Sequence, residues 1–339
     1  MPEVGPMELH PFARFTAILG RGKTLSRSLT LDESEEAMDM ILRDEVLPEQ
    51  LGALLMLLRM KEESPEELAG FVRAVRKTFK LPKSPPKVDL DWSSYAGKRR
   101  QLPWFLLSAL LLARNGVKIF MHGTEGHTPG RIYTRETLER LGYPIAGSLD
   151  EAAAHITKSN FAYVPLEHLS QKMKDLIDLR TVFGLRSPVH TLARMLNPFN
   201  APVMLQGIFH PAYMDVHRGA AELLEQEHMI VFRGEGGEIE RRPNKPCDVW
   251  TLHNGKPDEE RWMPLLPEPR QAPDEDMELS ELVALWEGSL SDNYAEASVT
   301  GTLAIVLKAL GRAETMEEAQ RAAETMWGER DKAQLNAVA

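Results

Sequence analysis

The chain has 339 residues, 43% of them hydrophobic and 27% charged, which is enough to bury a sizeable core and to divide into two domains. A formal net charge of -10 excludes a surface that is basic all over, although binding phosphates requires only one local positive face. No apolar run reaches the roughly 18 residues of a membrane span.

The opening MPEVGPMELHPF has no basic stretch followed by an apolar one, and the single cysteine, Cys247, excludes an intramolecular disulfide framework. The expectation is a cytoplasmic protein without membrane contact, with Cys247 used in packing. Arg14, Arg21, Lys23 and Arg27 form a run without acids, and Lys98, Arg99 and Arg100 are consecutive; Asp274, Glu275, Asp276, Glu278, Glu281 and Glu287 form an acidic block. Such runs are ordinarily solvated faces.

In chain order, the first segments read as helices. Thr30 with Glu33, and Ser64 with Pro65 and Glu67, have capping-box spacing, and DESEEAMDMILRDE, PEQLGALLMLLRMK and PEELAGFVRAVRKTF each carry one apolar stripe. Three prolines in LPKSPPKVDLD break the pattern and mark a boundary. A small helical domain is expected over 1–82, a larger α/β domain over 83–330 and a tail over 331–339, with part of 165–200 packed on the small domain. In the larger domain, strands are predicted at 117–121, 161–164, 203–209, 229–232 and 249–252, separated by helices such as LPWFLLSALLLARNG, SLDEAAAHI and HRGAAELLEQE. This alternation implies a mainly parallel sheet covered by helices, with ligands beyond the carboxyl ends of the strands. The C-terminal region returns to helix, Thr315 and Glu318 forming another cap.

Two generic motifs fail. GRGKT, at 20–24, lacks the first P-loop glycine, which would fall at Ala17, and helix-like sequence precedes it. His122 with His127, and His210 with His217, lack the spacing and the cysteine or carboxylate company of a zinc site.

GVKIFMHGTEGHTPGRIYTRETLERLG, RTVFGLRSPVHTLARMLNP, GIFHPAY and MIVFRGEGGEIE occur in the order of motifs of the anthranilate phosphoribosyltransferase family, which the chain resembles over nearly its whole length. The resemblance implies a small all-helical domain beside an α/β domain, as in nucleoside phosphorylases of the same fold. MHGTEG stands where those enzymes have KHGN, and DLDWSSYAGKRRQLPWF stands where they have a GTGGD loop, leaving only Gly97 of a glycine-rich turn. Their magnesium carboxylates (DGLDE) align with Glu235-Gly236-Gly237-Glu238-Ile239, with Glu240 next to them, and the anthranilate-contacting arginine falls at Lys174. Lysine keeps the charge but loses the planar fork that suits a carboxylate.

GKRRQLPWFLLSALLLARNG and LRSPVHTLARMLNPF resemble one branch of the family, the YbiB-like proteins. Resemblance to that branch implies a homodimer that binds single- or double-stranded nucleic acid and lacks anthranilate phosphoribosyltransferase activity. Ser187 is placed as a helix cap with Pro188 at the first helical position, setting Arg186 before the helix and His190 and Arg194 on one face. Lys172, Lys174 and Arg180, and Lys98, Arg99 and Arg100, would extend a phosphate-binding surface that uses no cofactor. Trp92, Tyr95 and Trp104 are candidates for base stacking as well as for the core. The same LRSPVHTLAR stretch also reads as a hinge between domains, with Arg186 paired to an acid. The alternative function is glycosyl or phosphoribosyl transfer, or phosphorolysis, on a substrate other than anthranilate. Phosphate would then lie near Gly97, Lys98, His122, Gly123 and Thr124, with magnesium on Glu238 and Glu240. An acidic protein-binding surface over 274–287 is a third reading.

Overall fold

The computed structural model describes residues 8–22, 24–274, 276–333 and 335, so Lys23, Glu275, the first seven residues and most of the 331–339 tail lie outside it. Four helices open the chain: α1 (Ala13–Gly20), α2 (Leu31–Leu42), α3 (Pro48–Lys61) and α4 (Pro65–Arg76). The capping boxes at Thr30 and Ser64 form, each hydroxyl accepting from the backbone three residues on while the glutamate reaches back, and the box at Thr315 forms likewise. Leu54, Leu58, Val72 and Val75 of this bundle share one apolar core with Met173, Ile177, Val189 and Leu192. Arg76 stitches the two segments by donating to the carbonyls of Met195 and Leu196 at 2.9 and 2.8 Å.

Seven strands form one sheet: β1 (Leu90–Ser94), β2 (Ile119–Gly123), β3 (Phe161–Pro165), β4 (Val203–Ile208), β5 (His228–Arg233), β6 (Cys247–His253) and β7 (Lys256–Trp262). Their order is β3-β2-β1-β4-β5-β6-β7; β1 to β5 are parallel, and β6 and β7 close the far edge antiparallel. Strand order therefore reverses between β1 and β4, where an α/β sheet opens a crevice beyond its carboxyl ends. The main core lies under α5 (Phe105–Arg114) and the helix Asn293–Ala309, joined there by Trp92, Trp104, Cys247 and Trp286.

The sheet differs from expectation in two strands. β1 falls in the stretch read as a boundary and glycine-poor loop, yet all five of its residues are buried at the centre of the sheet. Its polar side chains find partners inside the protein, Ser93 donating to the Leu205 carbonyl at 3.3 Å and one Asp91 oxygen meeting His122 at 3.2 Å, while Asp91 Oδ1 and Trp92 Nε1 have none among the described residues. The other unforeseen strand, β7, is KPDEERW, an exposed edge whose charges discourage pairing with other chains. Among the described residues, no helix is long and apolar enough to cross a membrane.

Candidate functional site

The loop after β1 meets the loop after β5 at the crevice. Gly97, at φ 68°, lets the first loop turn under the Tyr133 ring, which a side chain at that position would strike at 2.8 Å. The turn aims two amides at one point: Oε1 of Glu238 accepts from the backbone N–H groups of Ala96 at 2.7 Å and Gly97 at 2.6 Å, and Oε2 accepts from the Ser94 hydroxyl at 2.9 Å. A cradle of this type can hold a phosphate oxygen. Here the chain's own carboxylate occupies it.

Glu240, two residues on, is buried. It pairs with the Lys98 ammonium and accepts from the Phe105 amide at 2.9 Å. Burial pushes the Glu240 carboxyl upward against the pull of Lys98. The two carboxylates aligned with a magnesium motif thus spend all four oxygens on internal donors. Their donor set does not fit a cation, and among the described residues no group of three metal-ligating side chains is assembled. Lys98 is correspondingly not the surface cation expected of it, being 1% exposed. His122 is fully buried between Asp91 and the Tyr95 hydroxyl, which lies 2.7 Å from Nδ1. Gly123 packs so tightly on β1 that a side chain there would lie 2.1 Å from the Ser94 carbonyl, and Thr124 is buried with its hydroxyl unpartnered.

The LRSPVHTLAR segment differs from expectation in detail. The helix is one turn long, Val189–Leu192, with Pro188 rather than Ser187 in the cap position and no side-chain cap. Ser187 is buried and its hydroxyl has no partner, so the expected cap and helix dipole are not formed. His190 is buried and Arg194 turns inward, donating to the carbonyls of His190 at 2.6 Å and Gly207 at 3.2 Å. The segment still gathers positive charge. Arg180 donates to the His127 carbonyl at 2.7 Å and the Thr128 hydroxyl at 2.5 Å, and Arg186 reaches the same hydroxyl at 3.3 Å. The rings of His127 and His190 are 5.3 Å apart; neither nitrogen of His127, nor Nε2 of His190, has a partner.

Crowding of like charges adds to burial at Arg186, His127 and His190. Burial, reinforced by Arg194, Arg180 and Arg131, holds the Arg186 guanidinium down to about 10. Burial and the neighbouring arginines hold His127 down to about 2 and His190 to about 3, so both are neutral at physiological pH. Among the described residues Arg186 has no acidic partner of the kind the hinge reading required, its hydrogen bond going to the Thr128 hydroxyl. Lys172 and Lys174 do not join the group, since Lys172 pairs with Asp44 and Lys174 with Asp178.

A larger collection of charge includes Arg99 and Arg100 of the expected set and five cations outside it. A cavity of about 600 Å³ opens at the ends of β4 and β5, lined by Arg99 and Arg100 from the β1 loop, Arg233 at the end of β5, Arg242 and Lys245 beyond it, Arg131 and Arg270. Glu235 is the one carboxylate among the described lining residues. Arg131 ties this cavity to the inner group: it donates to the carbonyls of Ala96 and Gly97 at 2.7 and 3.1 Å and is among the charges felt by Arg186. Phe209 also lines the cavity and is 51% exposed, whereas Trp92, Tyr95 and Trp104 are core residues, at most 1% exposed. The basic stretch RRPNK after β5 is the sequence signal that could have found part of this site, although its first arginine, Arg241, is buried over Trp262.

Residues 15–79 match the helical bundle domain of the glycosyl transferase family, and residues 105–329 match its a/b domain. The anthranilate phosphoribosyltransferase of Sulfolobus acidocaldarius is 28% identical over 230 residues, 68% of this chain and 66% of that protein. That of Saccharolobus islandicus is 31% identical over 222 residues, 65% of this chain and 64% of that protein. The chain thus spans slightly less than two thirds of the length of these relatives. In fold it is similar to the anthranilate phosphoribosyltransferase of Thermus thermophilus, with a TM-score of 0.75 over 94% of both chains at 20% identity. With both domains matched in order, the chain belongs to the glycosyl transferase family that joins a helical bundle to an α/β domain.

Proposed function

We propose that the chain is a largely sequence-independent nucleic-acid-binding protein on a phosphoribosyltransferase fold, acting as a homodimer. One observation carries the reading: a chain of net charge -10 gathers, among its described residues, seven cations against one carboxylate round a cavity at the strand ends. Backbone phosphates entering there would be neutralised and their counterions released, a contact that carries no base information. Arg180 and Arg186 would extend the surface inward from Arg131. Two cavities on one dimer would reinforce each other on a long strand through effective concentration.

Pentosyl transfer to an acceptor other than anthranilate is the competing reading, drawn from the fold and from what the relatives are named. Against it stand the amide cradle filled by Glu238 and the engagement of Glu240 with Lys98. These leave neither a free amide pair for a pyrophosphate nor two free carboxylates for a divalent ion.

Titration of fluorescent single-stranded and duplex oligonucleotides of unrelated sequence, from low to moderate salt, tests the proposal. Affinity should fall steeply with salt, and Arg99→Ala with Arg270→Ala should lower the single-strand slope by roughly 0.7 for each phosphate no longer neutralised. Absence of binding at low salt would reject the reading and direct attention to phosphoribosyl pyrophosphate.

A further inference from the structure

We infer that Phe209, with the Arg233 guanidinium beside it, is a stacking platform for an unpaired nucleobase, so that the cavity prefers single-stranded over duplex nucleic acid. The inference rests on the nucleic-acid reading and adds to it the form of the strand. Phe209 is the residue immediately after β4, and it breaks the pattern of its own strand: Val203 to Ile208 are all buried, whereas Phe209 is 51% exposed. An aromatic ring kept half in water forgoes the stabilisation that burial gives, which calls for an explanation when the ring lies in a cavity rather than on an open face.

The ring is held in place from several sides. His210 packs edge-on against it, with centroids 4.9 Å apart and planes at 84°. The Arg233 guanidinium lies 5.6 Å from its centroid. The adjoining backbone is pinned across the strand ends, where the Gly234 amide donates to the Ile208 carbonyl at 3.2 Å. The platform is therefore set before any ligand arrives, which limits the entropy lost on stacking.

The surroundings select the ligand. A greasy partner would have to bring its apolar surface among Arg99, Arg131, Arg233 and Arg270, desolvating charges that it could not pair. A nucleotide brings both halves of the match, a flat π-face for Phe209 and Arg233 and a phosphate for the cations on either side. Bases in a duplex are already stacked on their neighbours and paired, so their faces are covered; an unpaired base presents its face without that cost. Stacking requires no particular base, in keeping with weak sequence preference.

Phe209→Ala, tested with a homopolymer single strand and a duplex of equal length, separates this inference from the broader reading. The substitution should weaken single-strand binding by about 5- to 150-fold, the span measured per stacked base, while leaving duplex binding nearly unchanged. The salt slope should stay the same, because the number of neutralised phosphates is unchanged, and Phe209→Trp should restore affinity. An abasic single strand should bind wild type as weakly as the intact strand binds the alanine variant. Should wild type bind neither strand nor duplex, both readings fall. Should it bind and Phe209→Ala weaken both forms equally, or neither, the stacking platform alone is overturned. Melting temperatures of both variants are measured beside wild type, and equal values separate a change in binding from a change in folding.

Discussion

Replacing Lys98 by methionine isolates the buried pair that joins the β1 loop to the β5 loop. The Lys98 ammonium and Glu240 carboxylate are 1% and 0% exposed, and methionine fills much of the lysine's volume without its charge. Glu240 would keep the Phe105 amide as a donor but lose its counter-ion, and removing one member of a buried pair costs about 3–5 kcal/mol. That is a large part of the roughly 5–15 kcal/mol that separates folded from unfolded domains. Replacing both partners, Lys98→Met with Glu240→Gln, removes the unpaired charge, and the double variant should recover to within about 1–2 kcal/mol of wild type. Urea unfolding followed by tryptophan fluorescence reads all four members of the cycle, the six tryptophans including buried Trp92 and Trp104 in the core beneath the pair. The pH dependence has a fixed sign. Burial raises the Glu240 carboxyl in the folded chain, further once Lys98 is gone, so its stability contribution is complete below the unfolded carboxyl value and is lost as pH rises through the folded one. The deficit of Lys98→Met should therefore be largest in mildly alkaline solution and shrink at pH 5. A cost under about 1 kcal/mol, a double variant as unstable as the two singles added together, or a deficit that grows on acidification would refute the buried pair and return Lys98 to the set of cations open to ligand.

Two further outcomes are expected. Glu238→Ala strands the Ala96 and Gly97 amides, while the Ser94 hydroxyl keeps that of Thr134 as a partner, at about 1–3 kcal/mol for each amide that water does not reach, and inorganic phosphate should raise the melting temperature of this variant more than that of wild type. His127 and His190 are held to about 2 and 3 in the folded chain, below the value of an unfolded histidine, so the stability they contribute is present above about pH 6.5 and is lost as pH falls. At pH 5 each should cost about 2 kcal/mol, and His127→Gln should narrow the gap between urea midpoints at pH 7 and pH 5; an unchanged gap would mean that His127 is protonated where it stands.

The helices and their caps are legible because their signals are local: Thr30, Ser64 and Thr315 each meet a glutamate three residues on. β1 escapes notice because Asp91, Ser93 and Ser94 look like loop residues, and the partners they bond lie on other strands, in the β5 loop or, for Ser94, also at Thr134. In the run Lys98, Arg99, Arg100, the backbone of Lys98 bridges to Ile132 in extended pairing; successive side chains then point to opposite sides, taking Lys98 inward and Arg99 outward. Three consecutive cations are one feature in sequence and two in space. Arg194 illustrates another limit: a single helical turn is too short to present the face expected of a longer helix, and the side chain bonds backwards to His190 instead. Phe209 is hidden within an apolar run because the strand stops one residue before it. The cations of the outer cavity come from positions between 99 and 270, so no window of sequence contains them.

Glu238 belongs to the same chain as the amides it binds, and this makes it a tethered competitor. A dissolved phosphate finds the Ala96 and Gly97 amides free only in those molecules whose carboxylate has swung out, and its apparent dissociation constant is the intrinsic one divided by that fraction. If the carboxylate were out for about one part in a hundred, a phosphate that would bind at micromolar concentration would need about a hundred times more. Restoring the missing glycines to the β1 loop would not by itself restore a phosphate site, because the occupant arrives from the loop after β5, 141 residues along the chain from Gly97. Transplanting an enzyme's loop into this fold therefore requires evicting Glu238 as well, and the loop exchanged alone should leave phosphate binding as it was.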